Sequence, residues 1–353
     1  MWKTKKVLSF AMFSLLVVAL TSGCGPLTPL PGLSNQMNNS LQNPENGSAG
    51  HIEKSLINIC SKLDFANVAW APSLTPDDRQ ALMLALNIGG SFEGSSDWST
   101  LSNNFDGQGL SMGLLNQTLG TGSLQPLWAL MRDNHLGDLQ RIFSSAHLTS
   151  LLNFLSSYNA ASSQGVSISS VDPMSGLFRL SSLDLESAGI NILSFADQSS
   201  VKWALGNIYS DAGVTFKPDW QAELQALGRN PNYISYQIQA AYKIHLHAKR
   251  YMQMLGISEL RSYLFSFDIV TQNGSFYAND IADYTQYLAH NPNATDTQKL
   301  VQILDYRLRE VRTAYVEDVR SRKMSMINGR GTVHGVYRNL DKEYCYNHLS
   351  PYQ

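Results

Sequence analysis

Two carboxylates set in a glycine-rich stretch hold the chemistry that this sequence could carry out. Glu93 closes an apolar segment. Asp106 follows in the run Asn104-Phe105-Asp106-Gly107-Gln108-Gly109-Leu110-Ser111-Met112-Gly113. Cleaving a glycosidic bond takes two carboxyl groups. One is protonated and gives its proton to the leaving oxygen; the other is ionised and activates water or attacks the sugar. Glu93 suits the acid, because a helix C-terminus and apolar neighbours both disfavour an anion and raise a carboxyl pKa. Asp106 suits the base, with backbone N–H groups around it to favour the ionised form. Gly107 and Gly109 let the chain turn tightly and approach a sugar, and Ser111 could hold the water. By residue type alone, the same acids fit a helix end followed by a surface hairpin with solvated carboxylates.

Other reactive residues offer less. His245 and His247 lie two apart in a helical stretch, so they face different ways and make a poor metal pair. Cys60 and Cys345 sit near the two ends of the folded part. Either they pair in an oxidising compartment and staple those ends, or they are two separate buried thiols. No metal or organic cofactor is implied. Most of the tryptophans fit a core, but Trp98, beside the carboxylates, is a candidate for sugar stacking.

The elements that must position these groups follow from patterning. Lys3, Lys5 and Lys6 precede an apolar run, Val7 to Leu20, which is too short for a confident membrane span. It ends in Leu20-Thr21-Ser22-Gly23-Cys24, which resembles the lipobox of bacterial lipoproteins and implies cleavage before Cys24 and its acylation. Loss of a 1–23 leader, with three lysines and no acid, takes the formal charge from -2 to -5. With no basic excess, nucleic acid is an unsuitable partner. Residues 24–51, rich in Pro, Asn, Ser and Gly, read as a tether, and residues 52–353 as one folded unit. Thr75-Pro76-Asp77-Asp78 is a helix start, and the helix it opens is apolar on most faces, so it should be central. Gly94 to Gly113 predicts a small hairpin or irregular loop. Helical spacing is then read over Leu114–Met131, Leu136–Tyr158, Ser200–Ala212, Pro218–Leu227, Asn232–Leu255, Ile257–Thr271, Asn279–Leu288 and Asp296–Ser325. Short strands are possible at Val166–Ile168 and Gly176–Leu180. The sum is a mainly α fold with a small β element.

Several motifs in order add to this. Glu93-x-x-x-Asp97-Trp98 followed by Asp106-Gly107-Gln108-Gly109-x-Ser111-x-Gly113 resembles the catalytic region of glycoside hydrolase family 46 chitosanases. It resembles still more closely bacterial and phage peptidoglycan hydrolase-like proteins that carry a Phe-Asp-Gly-Gln-Gly motif. Leu119-Gly120-Thr121-Gly122-Ser123-Leu124-Gln125-Pro126-Leu127, Phe267-Asp268-Ile269 with Gln272-Asn273-Gly274, and Gly329-Arg330-Gly331-Thr332-Val333-His334-Gly335 look like later motifs of that group. The resemblance implies a lysozyme-like, two-lobed fold with a central helix. It also implies an inverting mechanism with Glu93 as acid, Asp106 as base and Ser111 positioning water. Gln108 stands where chitosanases usually have Arg, which puts chitosan itself in doubt.

Candidate substrate contacts are Trp98, Gln108, Gln125, Asp268, Gln272, Asn273 and Thr332. For Asp268, pairing with an arginine fits as well as contact with a sugar. For the Gly329–Gly335 loop, a structural turn fits almost as well. The expected protein is a monomeric glycosidase, anchored by lipid to the periplasmic face of the outer membrane, or else secreted. It acts on a β-1,4-linked amino-sugar polymer, peptidoglycan or a chitosan-like glycan. A lytic transglycosylase and a non-catalytic wall-binding lipoprotein are the alternatives.

Overall fold

A computed structural model describes residues 57–92, 97–165 and 193–352. The leader, Cys24, the tether, Glu93 and the two short strands expected between Val166 and Leu180 lie outside the described residues. What is described is mainly α with two small sheets, in keeping with the predicted class.

Helix α1 (Pro76–Phe92) starts where the capping signature placed it. The Asp78 backbone N–H donates to Thr75 Oγ1 at 3.0 Å, and the Thr75 N–H donates back to Asp78 Oδ2 at 3.2 Å. Three two-residue strands follow, β1 (Leu101–Ser102), β2 (Ser111–Met112) and β3 (Gln117–Thr118), paired antiparallel in that order. Helices α2 (Gln125–Asn134), α3 (Leu136–Ile142), α4 (Ser145–Gly165), α5 (Leu193–Asn207) and α6 (Pro218–Gly228) complete a first lobe. Its core holds Leu127, Trp128, Met131, Leu155 and Trp220.

The spine is α7 (Pro231–Leu255). Asn230 caps it by accepting from the N–H groups of Asn232 and Tyr233, Pro231 occupies the first turn, and Gly256 ends it with φ 65°. At about 1.5 Å per residue its 25 residues span about 37 Å. Tyr233, Tyr236 and Ala240 belong to the first lobe's core, whereas Ile238, Ala241, Ile244, Ala248 and Met252 belong to a second. That second core also takes α1 and α8 (Leu260–Asn273). An outer layer packs α9 (Ala278–His290), α10 (Asp296–Leu308) and α11 (Val316–Ile327) around Phe265, Ile269, Tyr284 and Leu304. A hairpin of β4 (Arg330–Val333) and β5 (Val336–Asn339) leads into α12 (Leu340–Tyr344). Cys60 and Cys345 form a disulfide with their Cα atoms 5.2 Å apart, and the Cys60 N–H donates to Tyr344 O at 2.8 Å.

Three expectations are corrected. The predicted helix Leu114–Met131 begins only at Gln125. Leu114, Leu115 and Leu119 have helical spacing, but Gly113 and Asn116 adopt positive φ and the chain turns into β3 instead. The run Leu136–Tyr158 is two helices, because Phe143 is extended at φ -97°, ψ 142°. The stretch Asp296–Ser325 breaks at Arg309–Tyr315, where α10 ends and a 3-10 turn precedes α11.

Candidate active site

Asp106 ends a single 3-10 turn, Asn104–Asp106, between β1 and β2. Asn103 opens that turn, with its side chain accepting from the Phe105 N–H, and Gly107 closes it at φ 80°. The next residues fold around Asn104: its carbonyl accepts from Gly107, and its Oδ1 accepts from Gly109 at 2.6 Å. Gly109, at φ 81°, is also needed for close approach, since a Cβ there would lie 3.1 Å from Val201 Cα. The half-buried Asp106 carboxylate accepts the Gln108 N–H at 3.0 Å.

Sequence reasoning assigned Asp106 as the base and expected the backbone N–H groups around it to favour its ionised form. The balance goes the other way. Burial raises its pKa above the ordinary aspartate value, and the N–H donors from Gln108 and from Asp106 itself offset only part of that rise. No cation pairs with Asp106 among the described residues. A carboxylate that is desolvated yet unpaired is costly to the fold and correspondingly basic.

A second loop holds this one, and sequence reasoning missed it. Asp211 Oδ1 accepts the N–H groups of Gly213, Val214 and Thr215, which pull its carboxyl down to about 2. The loop so gathered presents two carbonyls. Gly213 O accepts the Asn104 N–H at 2.9 Å, and Val214 O accepts Asn103 Nδ2 at 2.7 Å. Tyr209 reaches across to donate its hydroxyl to Gly109 O at 2.6 Å. Burial, with the nearby Asp106 and Asp211 charges, raises the Tyr209 pKa and keeps the phenol a donor. The stretch was read as helix through Ala212, whereas the helix ends at Asn207. Asp211 and Gly213 are turn-forming types that could have flagged the loop, but its partner about a hundred residues earlier could not be read.

The remaining expected residues divide. Ser111 is buried on β2, paired in register with Ser102 and Thr118. Gln108 packs its side chain against Gly120, where a Cβ would overlap Oε1 and lie 2.9 Å from Gln108 Cα. Trp98 is corrected as a stacking platform: it is 5% exposed, packs edge-on to Phe65 and donates Nε1 to Asp64 O. Gln125 is corrected as a substrate contact, being wholly buried with Nε2 spent on Leu119 O and Ser200 Oγ. Asp268 is corrected likewise. It is 2% exposed and pairs with Arg322 at 2.6 Å and with Lys323, so the arginine-pairing alternative describes it. Gln272 accepts from Lys323 at 2.6 Å and donates to Asp318. Asn273 Oδ1 is buried, with no partner among the described residues. Thr332 is exposed on β4, well apart in the chain from the carboxylate loop.

At the end of α1, Phe92 is 1% exposed, with the guanidinium carbons of Arg322 and Arg338 5.1 and 5.6 Å from its ring. Both cations carry counter-charges, Arg322 from Asp268 and Arg338 from Glu343. Lys323 is so buried that its pKa falls to about 8 despite Asp268. Among the described residues, no group of three or more His, Cys, Asp or Glu is placed to hold a metal, and no helix is long and apolar enough to cross a membrane.

No family model matches the chain, and no curated protein matches it. Among the solved structures similar to the chain is one described as a chitosanase complex, matching over 72% of this chain and 94% of its own, at 15% identity and a TM-score of 0.39. At that identity and score, the likeness fixes neither a family nor an activity.

Proposed function

We propose that the protein is a glycoside hydrolase acting on a β-1,4-linked amino-sugar polymer of the cell envelope, with peptidoglycan the preferred polymer. The observation that carries this reading is Asp106: a half-buried carboxylate with raised pKa and no paired cation among the described residues, on a glycine turn clamped by a second loop. Such a group is suited to take a proton from water. In the proposed reaction Glu93, next in sequence after the buried end of α1, protonates the leaving oxygen. Asp106 removes a proton from the water that attacks the anomeric carbon from the opposite face, which inverts the configuration. Ser111 is proposed to position that water. Cys24 is proposed as the acylated anchor that holds the enzyme at the outer membrane.

The test is digestion of native peptidoglycan, deacetylated peptidoglycan and chitosan by wild type, Glu93→Gln and Asp106→Asn, with products identified by mass spectrometry and the new anomer by NMR. The expected result is reducing-end products of inverted configuration, lost in both variants. Retained activity in Asp106→Asn with anhydro-sugar products would replace the reading with a lytic transglycosylase. Release of no sugar by wild type would leave a wall-binding protein. For the anchor, Cys24→Ser should abolish incorporation of labelled fatty acid.

A further inference from the structure

The β4–β5 hairpin has two unlike faces. Register sets Arg330 opposite Asn339 and Thr332 opposite Tyr337, while Gly331 lies opposite Arg338 and Val333 opposite Val336. Residues paired in an antiparallel ladder point to the same side. The Gly331 side packs inward. A Cβ at Gly331 would lie 2.9 Å from Ser325 Cβ of α11, Val333 is buried, and Arg338 reaches Ser91 Oγ of α1 at 3.2 Å. The Arg330 side is open, with Tyr337 64% exposed.

In front of that open side lies a groove of about 710 Å³, lined by Asn328, Arg330, Tyr337, Asn339, Lys342 and His348 among others. Part of its lining is built. His348 Nδ1 and Asp341 Oδ2 pair at 2.7 Å. Gly329, at φ 67°, comes so close to that pair that a Cβ would sit 2.5 Å from both atoms. Asp341 thus spends Oδ2 on His348, while its Oδ1 is buried and has no partner among the described residues. By contrast, the side chains of Arg330 and Lys342 and the hydroxyl of Tyr337 have no partner among the described residues. The groove thus offers two cations without an ion-pair partner among the described residues, an exposed aromatic face and amides, against one carboxylate, Asp341, which is bound to His348 through Oδ2 and buried at Oδ1.

We propose that this groove is a second saccharide site, separate from Asp106, and that it takes a sugar strand bearing carboxylates. A sugar ring lies on the face of Tyr337, its hydroxyls reach Asn328 and Asn339, and its carboxylates meet Arg330 and Lys342. The same cations repel the protonated amines of a deacetylated strand. A peptide-bearing wall glycan and a uronic-acid polymer share the required chemistry. The inference does not depend on the hydrolase reading, since it concerns binding alone.

The test uses the full-length chain carrying Asp106→Asn, to prevent turnover, and titrates four probes by calorimetry. The probes are a disaccharide-tetrapeptide from peptidoglycan, an oligogalacturonate, an N-acetylglucosamine tetramer and a glucosamine tetramer. Tyr337→Ala and the charge-reversed Arg330→Glu/Lys342→Glu are compared with their parent. The substituted side chains are exposed, and the thermal midpoint serves as the folding control. The expected result is that the parent binds one or both anionic probes more tightly than the glucosamine tetramer. Tyr337→Ala should weaken that binding about tenfold, a typical loss for one stacking contact. Charge reversal should weaken it at least as much as Tyr337→Ala does, leaving only what the Asp106 site binds, and raising the salt concentration should weaken it. Which anionic probe binds identifies the source. Equal binding of cationic and anionic probes, no binding of either anionic probe, or anionic binding unchanged in both variants overturns the proposal. Inactivity of the wild type toward every glycan would sink the hydrolase reading and leave this result standing.

Discussion

Gly120→Ala should injure the carboxylate loop from outside, and the size of the injury can be worked out. Gly120 donates its N–H to Gln108 O at 2.9 Å, and an added Cβ would lie 2.9 Å from Gln108 Cα as well as overlapping its Oε1. Ordinary contacts begin at 3.4 Å. The side chain can swing away, but the Cα cannot, so the backbone of Gln108 must retreat by about half an ångström. Overpacking of this kind costs about 1–3 kcal/mol of stability. The displaced group is the N–H that donates to Asp106 at 3.0 Å. A misplacement of 1 Å costs about 100-fold in rate, so half of that should cost about tenfold. Weakening a donor to the carboxylate also raises a pKa that burial has already raised. Because the proposed base works ionised, the acidic limb of the rate profile should move to higher pH. The assay is release of reducing ends from peptidoglycan across pH, beside chemical denaturation. Gly122→Ala is the control: it meets nothing within 4 Å, but φ 75° penalises it by about 1–2 kcal/mol. If both variants lose similar stability and both keep the wild-type pH profile, the reasoning that ties Gly120 to Asp106 is refuted.

Other outcomes follow from the same structure. Asp106→Asn should raise the thermal midpoint at neutral pH. A folded-state pKa above the unfolded value means that ionisation opposes folding, so the gain should disappear below the unfolded carboxyl pKa of 3.8; a scan of Tm against pH checks this. Asp268→Ala should cost about 3–5 kcal/mol in denaturant unfolding, because it strands two buried cations, in place of the selective rise in KM that a sugar contact would give. Serine at both Cys60 and Cys345 should lower stability by on the order of 5 kcal/mol, the chain-entropy figure for so long a closed loop; reductant titration of the wild type should match.

Where local chemistry decides structure, the sequence was readable. Thr75-Pro76-Asp77-Asp78 fixed the start of α1, because caps act over one turn, whereas the helix read from Asn232 starts at Pro231, its Asn230 cap not having been singled out. Periodicity misled where a tertiary contact decided. Leu114, Leu115 and Leu119 count out a helix, yet the Leu114 N–H is held by Gln237 Oε1, 123 residues away. The carboxylate loop was visible as a motif, but the Asp211 loop that clamps it was not, since a carbonyl's aim leaves no mark on composition. The substrate contacts fared worst. Trp98, Gln125 and Asp268 were chosen by residue type and by their place beside or within a motif, and neither says which way a side chain faces.

The 25-residue rod α7 gives Tyr233, Tyr236 and Ala240 to one lobe and Ile244, Ala248 and Met252 to the other. Neither half can lose its packing without exposing part of a backbone that the other half still needs. Calorimetry should therefore record one melting event for the folded part, with the calorimetric and van't Hoff enthalpies in agreement. Any breathing of the two halves must then be a flexing of that shared rod, with neither half coming undocked from it.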